Sequence, residues 1–297
     1  MAFYQSDPEM LDHLKSLINR FSNEGRPELH KNISICWIRY LKLYPNAGSG
    51  HGATWSQNNL FYPASVVKLI YAIATEIWLQ NDLLIESEEL RRALSDMIIH
   101  SSNDATSYIV DILTGTNSGA SLPEKEWEAW KQQRSLINQW LKTFNWSELE
   151  NINCCQKTWS DGPYGREKDF YGENNENRNA LSTGAVAKIF EALMTNSLIS
   201  PKATGRLKNY LSRSLNMIDR KKNPDNQIDG FIGEGLSQKS KIWSKAGWMS
   251  EVRHDAAWWE EENKNPMLLV IFTRGTELSK DPFLLPAFAD ELRNFNS

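Results

Sequence analysis

The chain has 297 residues, 40% of them hydrophobic, with a formal charge of −4 and 12 tryptophans. Acidic and basic residues are interspersed, so the sequence carries neither a basic field for nucleic acid nor a charged interaction tail. No window reaches the roughly 18 apolar residues of a membrane span, and the length suits one large core or two modest ones.

Met1 to Asp7 shows no charged segment followed by an apolar one, which reads as a soluble cytoplasmic protein, or a periplasmic one if a signal has been trimmed. Asp7-Pro8 is a helix-start signal, and Leu11, Leu14, Leu17, Ile18 and Phe21 recur at helical spacing until Gly25-Arg26-Pro27. Ile33 to Ile38 reads as a strand, carried on by Tyr40, Leu41 and Leu43 to a turn at Pro45-Asn46-Ala47-Gly48. A second, weaker strand is expected from Ala53 to Phe61. The pattern from there to about residue 215 is helical, with candidates at 65–80, 87–99, 103–113, 125–144, 183–196 and 202–215. Within it, Gly165 to Asn179 is rich in Asn, Glu and Gly and reads as a long surface loop. Ile242–Trp248, Val252–Trp259 and Met267–Thr273 are three β-rich runs suited to an antiparallel meander, and Pro282 to Phe295 closes the chain as an amphipathic helix. This order predicts an α+β fold in one domain, 1–297. An antiparallel sheet is built from both chain ends, 1–62 with 216–297, and an all-helical lobe, 63–215, is inserted. Cys36, Cys154 and Cys155 have no metal-ligand spacing and read as free thiols, or at most one incidental bridge.

Three stretches carry chemistry. In Tyr62-Pro63-Ala64-Ser65-Val66-Val67-Lys68-Leu69, Pro63 suits a first helical turn, and Ser65 and Lys68 stand three apart on one helical face. A helix N-terminus disfavours an added cation, and burial would push the Lys68 amine down the same way, so that a neutral amine accepts the Ser65 proton. The bland reading is a buried helix that happens to hold Ser and Lys. In Ser101-Ser102-Asn103-Asp104, one helix ends and another begins, and Asn103 or Asp104 could be a plain N-cap. Lys245-Ala246-Gly247 lies on an expected strand, where a lysine is costly unless it faces a cleft or an anion, and the glycine lets another backbone approach.

Taken in this order, Ser65-Val66-Val67-Lys68, Ser101-Ser102-Asn103 and Lys245-Ala246-Gly247 resemble the S-x-x-K, S-D-N and K-T-G motifs of class A β-lactamases and their DD-peptidase relatives, the penicillin-recognising serine hydrolases. Arg253-His254-Asp255-Ala256-Ala257 and Leu181-Ser182-Thr183 resemble flanking segments of that family. The resemblance implies the β-lactamase/transpeptidase-like fold, a small-molecule substrate, and neither metal nor cofactor. It implies Ser65 as nucleophile, Lys68 as base, Ser101 and Lys245 in proton transfer and charge stabilisation, and Asn103, Gly247, Trp248 and Arg253 at the substrate. The backbone N–H groups of Ser65 and Trp248 would form the oxyanion hole. Ser102 stands where the family has Asp and Ala246 where it has Thr. Glu167 or Glu173 is the candidate base for deacylation, without the family's Glu-x-x-Leu-Asn setting. Within the resemblance, a β-lactamase, a DD-peptidase-like enzyme and a cytoplasmic esterase or amidase are all open, and the rival is a non-hydrolytic binding module on the same scaffold. Oligomeric state is not legible.

Overall fold

A computed structural model describes residues 3–262 and 264–295. The chain divides into two compact units, Met1–Val66 with Ser182–Ser297, and Val67–Leu181.

Among the described residues, the first unit holds seven strands: β1 (Gln5–Ser6), β2 (Ile33–Arg39), β3 (His51–Trp55), β4 (Ser212–Arg213), β5 (Lys241–Met249), β6 (Val252–Glu260) and β7 (Met267–Arg274). They form one sheet in the order β1-β3-β2-β7-β6-β5-β4. The sheet is mixed, not antiparallel throughout as expected, because β1 pairs with β3 in parallel. The expected extension of β2 through Leu41 and Leu43 is absent. The β2–β7 ladder ends at Arg39↔Met267, and Tyr40 N–H donates to the carbonyl of Pro266, which has no N–H to continue the ladder. Likewise β3 covers His51–Trp55, not 53–61, since its register against β2 runs from Ile35↔Trp55 to Arg39↔His51.

Alternation along the strands assigns the two faces. Ile33, Ile35 and Trp37 of β2 and Met267, Leu269 and Ile271 of β7 share a core cluster with Met10, Leu14, Leu17, Ile18 and Phe21 of the Pro8–Asn23 helix. Leu284, Leu285, Phe288 and Leu292 of the Leu284–Arg293 helix join it. The Pro8–Asn23 helix starts where the sequence places it, with Asp7 Oδ1 accepting the N–H groups of Glu9 and Met10 at 3.0 and 3.1 Å. The Thr183–Met194 helix packs on β2, β6 and β7 and is pinned by Ser34 Oγ to Thr183 Oγ1 at 2.7 Å and by Tyr40 O–H donating to Glu191 at 3.0 Å. This corrects the expected lobe boundaries. Residues 63–66 and 182–215 belong with the sheet, because periodicity reveals that a segment is helical and apolar but not which surface it covers.

The second unit is helical, with Asn153↔Ala180 an isolated bridge. Its Val67–Gln80 helix is buried without interruption from Val67 to Glu76, the pattern of a central helix apolar on all sides. The helix expected at 125–144 is two, Glu124–Arg134 and Leu136–Lys142, separated at Ser135. The stretch expected as a surface loop contains the Gly165–Tyr171 helix, whose Phe170 packs on Trp130 and Cys155. All three cysteines are buried free thiols. No helix among the described residues is long and apolar enough to cross a membrane.

Candidate active site

In the sheet unit, Ser65 lies on a single 3-10 turn, Ala64–Val66, that continues along the chain into the Val67–Gln80 helix. The turn is closed by Val66 N–H donating to the Pro63 carbonyl at 3.1 Å, and Ala64 is held at φ 46°, a left-handed conformation that non-glycine residues rarely adopt. Ser65 itself is half-buried. Strand β5 backs directly onto this turn. A Cβ at Gly247 would come within 2.7 Å of the Pro63 carbonyl oxygen and 3.1 Å of the Ser65 nitrogen, so only glycine fits there. The sequence expectation of a close backbone approach at Gly247 therefore has a specific partner.

Lys245, two residues earlier on β5, is fully buried. Its Nζ donates to Gln227 Oε1 at 2.6 Å and to the Ala246 carbonyl at 2.8 Å, and the same Gln227 oxygen accepts Ala246 N–H at 3.1 Å. Gln227 is not singled out by the sequence, because its partner is 18 residues away and no local pattern marks it. Ala246, where the resembling motif has Thr, packs in the sheet's core cluster. On β6, the carboxyl of buried Asp255 is pushed up to about 7 by desolvation, opposed in part by Lys245 and Arg213.

Trp248 is 60% exposed, yet its ring is fixed: Nε1–H donates to the Ser279 carbonyl at 2.9 Å, and the Arg253 guanidinium lies 5.2 Å from the ring centroid. Arg253 is 7% exposed, donates to the carbonyls of Ser279 at 2.9 Å and Gly230 at 3.2 Å, and lies 5.1 Å from the Phe231 ring. Arg253, expected at the substrate, is thus largely buried and already hydrogen-bonded. Its guanidinium braces the end of β5 at Trp248, held between two rings and two backbone carbonyls.

In the helical unit, Lys68 is fully buried with no carboxylate partner among the described residues. Its Nζ lies 2.5 Å from the Ser101 carbonyl, 3.2 Å from Ser101 Oγ and 2.8 Å from Asn103 Oδ1. Burial pushes the amine down to about 7. At neutral pH a large share of Lys68 is the free amine, with two N–H bonds for the carbonyl-type oxygens and a lone pair open to a hydroxyl proton. Ser101 sits at φ 55°, a strained backbone of the kind found where a side chain is aimed for function. Thr158 Oγ1 donates to Asn103 Oδ1 at 2.8 Å, which fixes that amide beside Lys68. The N-cap of the following Asn103–Thr114 helix is neither Asn103 nor Asp104 but Ser102, whose Oγ accepts Ala105 N–H at 3.1 Å. The residue replacing the motif's Asp thus starts the helix.

Glu167 and Glu173 do not have the setting expected of a deacylation base. The Glu167 carboxylate is fully buried and held by Arg134 at 2.6 and 2.8 Å, Ser118 at 3.1 Å and Lys157 at 3.2 Å. Glu173 is exposed, beyond the end of the Gly165–Tyr171 helix.

Solved structures of similar fold include a β-lactamase from Xanthomonas campestris, 17% identical, covering 97% of this chain and 99% of that one with a TM-score of 0.65. A β-lactamase from Streptosporangium roseum is 14% identical over 97% and 98%, TM-score 0.66. A mutant of PBP-A, described as an acyl-enzyme complex with penicillin G, is 15% identical over 99% of each chain, TM-score 0.65. No curated protein matches. Residues 79–284 match the family model Beta-lactamase2, described as the β-lactamase enzyme family. That span takes in the Ser101 and Lys245 motifs and lies downstream of Ser65. With well over half the chain inside the match, and the fold shared along nearly its whole length, the protein belongs to the β-lactamase enzyme family.

Proposed function

We propose that the protein is a serine acyl hydrolase that forms an acyl-enzyme on Ser65 with a lactam, amide or ester. Ser65 Oγ attacks the carbonyl carbon while its proton passes to Lys68 Nζ, three residues on along the chain. The carbon–nitrogen or carbon–oxygen bond then breaks, and the leaving atom takes a proton delivered through Ser101. The backbone N–H groups of Ser65 and Trp248 serve the oxyanion, and buried Lys245 supplies fixed positive charge. The observation that carries this reading is the Lys68 amine: buried, pushed down to about 7, and hydrogen-bonded to Ser101 and Asn103. An amine in that state is a base at neutral pH.

The same observation bears on turnover. Lys68 has no carboxylate beside it among the described residues, and Glu167 is locked to Arg134. Carboxylate-assisted attack of water on the ester typically contributes ~10²–10⁴-fold, so without it the acyl-enzyme outlives its formation. The substrate class favoured is a carbonyl compound whose acyl group stays on Ser65, as penicillin G does in the PBP-A complex named above. Intact-protein mass spectrometry after mixing with benzylpenicillin tests this. The expected result is a persistent adduct of one whole penicillin, absent from Ser65→Ala. Rapid hydrolysis with no adduct would overturn the slow-turnover part, and an adduct retained by Ser65→Ala would overturn the nucleophile.

A further inference from the structure

The turn carrying Ser65 is reached through residues 56–63, which lie outside the named strands. Its placement therefore depends on contacts other than a ladder. One is the close approach of Gly247. A second is a side chain within the Arg253–Ala257 segment, to which the resemblance assigns no role. His254 Nε2 lies 2.9 Å from the carbonyl oxygen of Tyr62, three residues before Ser65. The tautomer follows from the other ring nitrogen. Nδ1 faces the backbone N–H of Thr273 at 3.1 Å and must accept it, so the ring's proton sits on Nε2 and is donated to Tyr62.

The ring has little freedom to turn. It is fully buried, stacks on Phe272 with centroids 4.3 Å apart, and meets Phe61 edge-on at 6.1 Å. Burial pushes the imidazole down to about 4. That direction agrees with the geometry, since a second ring proton would oppose the Thr273 N–H. In the sheet, His254 pairs with Gly247 on one side and Phe272 on the other. Adjacent positions of β5 and β6 thus grip neighbouring points of one short segment. Gly247 meets the Pro63 carbonyl and the Ser65 nitrogen, and His254 holds the Tyr62 carbonyl.

We propose that His254 is a positioning residue for acylation: its Nε2–H anchors the Tyr62 carbonyl and thereby sets the Ala64–Val66 turn that presents Ser65. The proposal rests on the serine-hydrolase reading above. Two isosteric halves of the imidazole separate this role from a merely structural one. His254→Asn keeps an acceptor near the Nδ1 position for Thr273 and loses the donor to Tyr62. His254→Gln keeps an N–H near the Nε2 position and loses the acceptor. The measurement is the second-order rate of fluorophosphonate labelling at Ser65, normalised to the folded fraction, with thermal denaturation read in parallel. A misplacement on the order of 1 Å can cost about 10²-fold. His254→Asn should therefore label roughly 10- to 100-fold more slowly than wild type, and His254→Gln should recover most of that loss.

Equal rates in the two variants, slow or fast, would overturn the positioning role, because a residue needed only for packing cannot distinguish them. Should His254→Asn not fold, His254→Ala with and without added imidazole replaces it. Per folded molecule, labelling must rise with imidazole, and no rise overturns the proposal. A wild-type protein that takes no label at Ser65 overturns the hydrolase reading itself, an outcome separate from any difference among the variants.

Discussion

Two lysines are buried in the helical unit, and they are buried in opposite ways. Lys157 Nζ lies 2.7 Å from Asp111 and 3.2 Å from Glu167, with Ser118 Oγ at 2.8 Å. Lys68 is equally enclosed, yet all its partners are neutral oxygens. A buried charge matched by carboxylates stays a charge and ties elements together. A buried charge given only dipoles loses its proton more readily, and burial pushes Lys68 down to about 7. The same residue type thus makes a strut in one place and, in the reaction proposed above, a base in the other, and the presence of a carboxylate is what distinguishes them.

The largest effect that can break this comparison is kinetic. Lys68→Met should reduce Ser65 acylation by ~10²–10⁴-fold, the usual worth of a general base, while the protein stays folded. A loss below tenfold in stopped-flow acylation would mean that Lys68 is not the base. The same variant has a signature in stability. An amine held at about 7 in the folded protein, against its ordinary 10.5, binds its proton more readily in the unfolded chain. Its contribution to stability is present above pH 10.5 and lost as pH falls toward 7. Lys68→Met should flatten that part of the wild-type stability–pH curve, as measured by urea denaturation at several pH values, and an unchanged slope would contradict the assigned state.

Lys157→Met should show the reverse pattern. It removes one member of a buried ion network and should cost ~3 kcal/mol, the low end for such losses because Arg134 still holds Glu167. The acylation rate of the folded protein should stay within a few-fold of wild type. A large rate loss with little change in denaturation midpoint would abolish the distinction between the two lysines. The smallest effect expected is that of Ser102→Ala. It removes the cap of the helix that begins with Asn103, the amide beside Lys68, without touching any charge. Denaturation should register ~1 kcal/mol, and the pH midpoint of acylation should move only slightly.

Local features of the site are legible in the sequence and tertiary ones are not. The burial of Lys68 and the need for glycine at 247 follow from hydrophobic run and residue type, whereas the helix expected from Ser65 begins at Val67, after the 3-10 turn. Ser102 as the cap is within reach of the same rules, since serine is among the preferred residues at a helix start, but the motif draws attention to its neighbours. The surroundings of Arg253 are not legible because an arginine on a strand announces a cation and not its direction, and the carbonyls that hold it come from the turn at Gly230 and the Thr276–Lys280 helix. Glu167 misleads for a related reason: its Arg134 partner lies 33 residues away along the chain. The Thr183–Met194 helix is recognisable, but the sheet face it covers is not, because apolar periodicity carries no address.

The close approach at Gly247 also has a meaning for how the molecule assembles. Side chains on a strand alternate between faces, so a slip of β5 by one residue against β6 would place Ala246 or Trp248 where Gly247 stands. Either would bring a Cβ within 2.7 Å of the Pro63 carbonyl oxygen, a distance such carbons essentially never show, and within 3.1 Å of the Ser65 nitrogen. The Ser65 turn as seen here seats against a correctly registered hairpin. A register slip of the hairpin would therefore cost the molecule the seat of its Ala64–Val66 turn as well as its ladder.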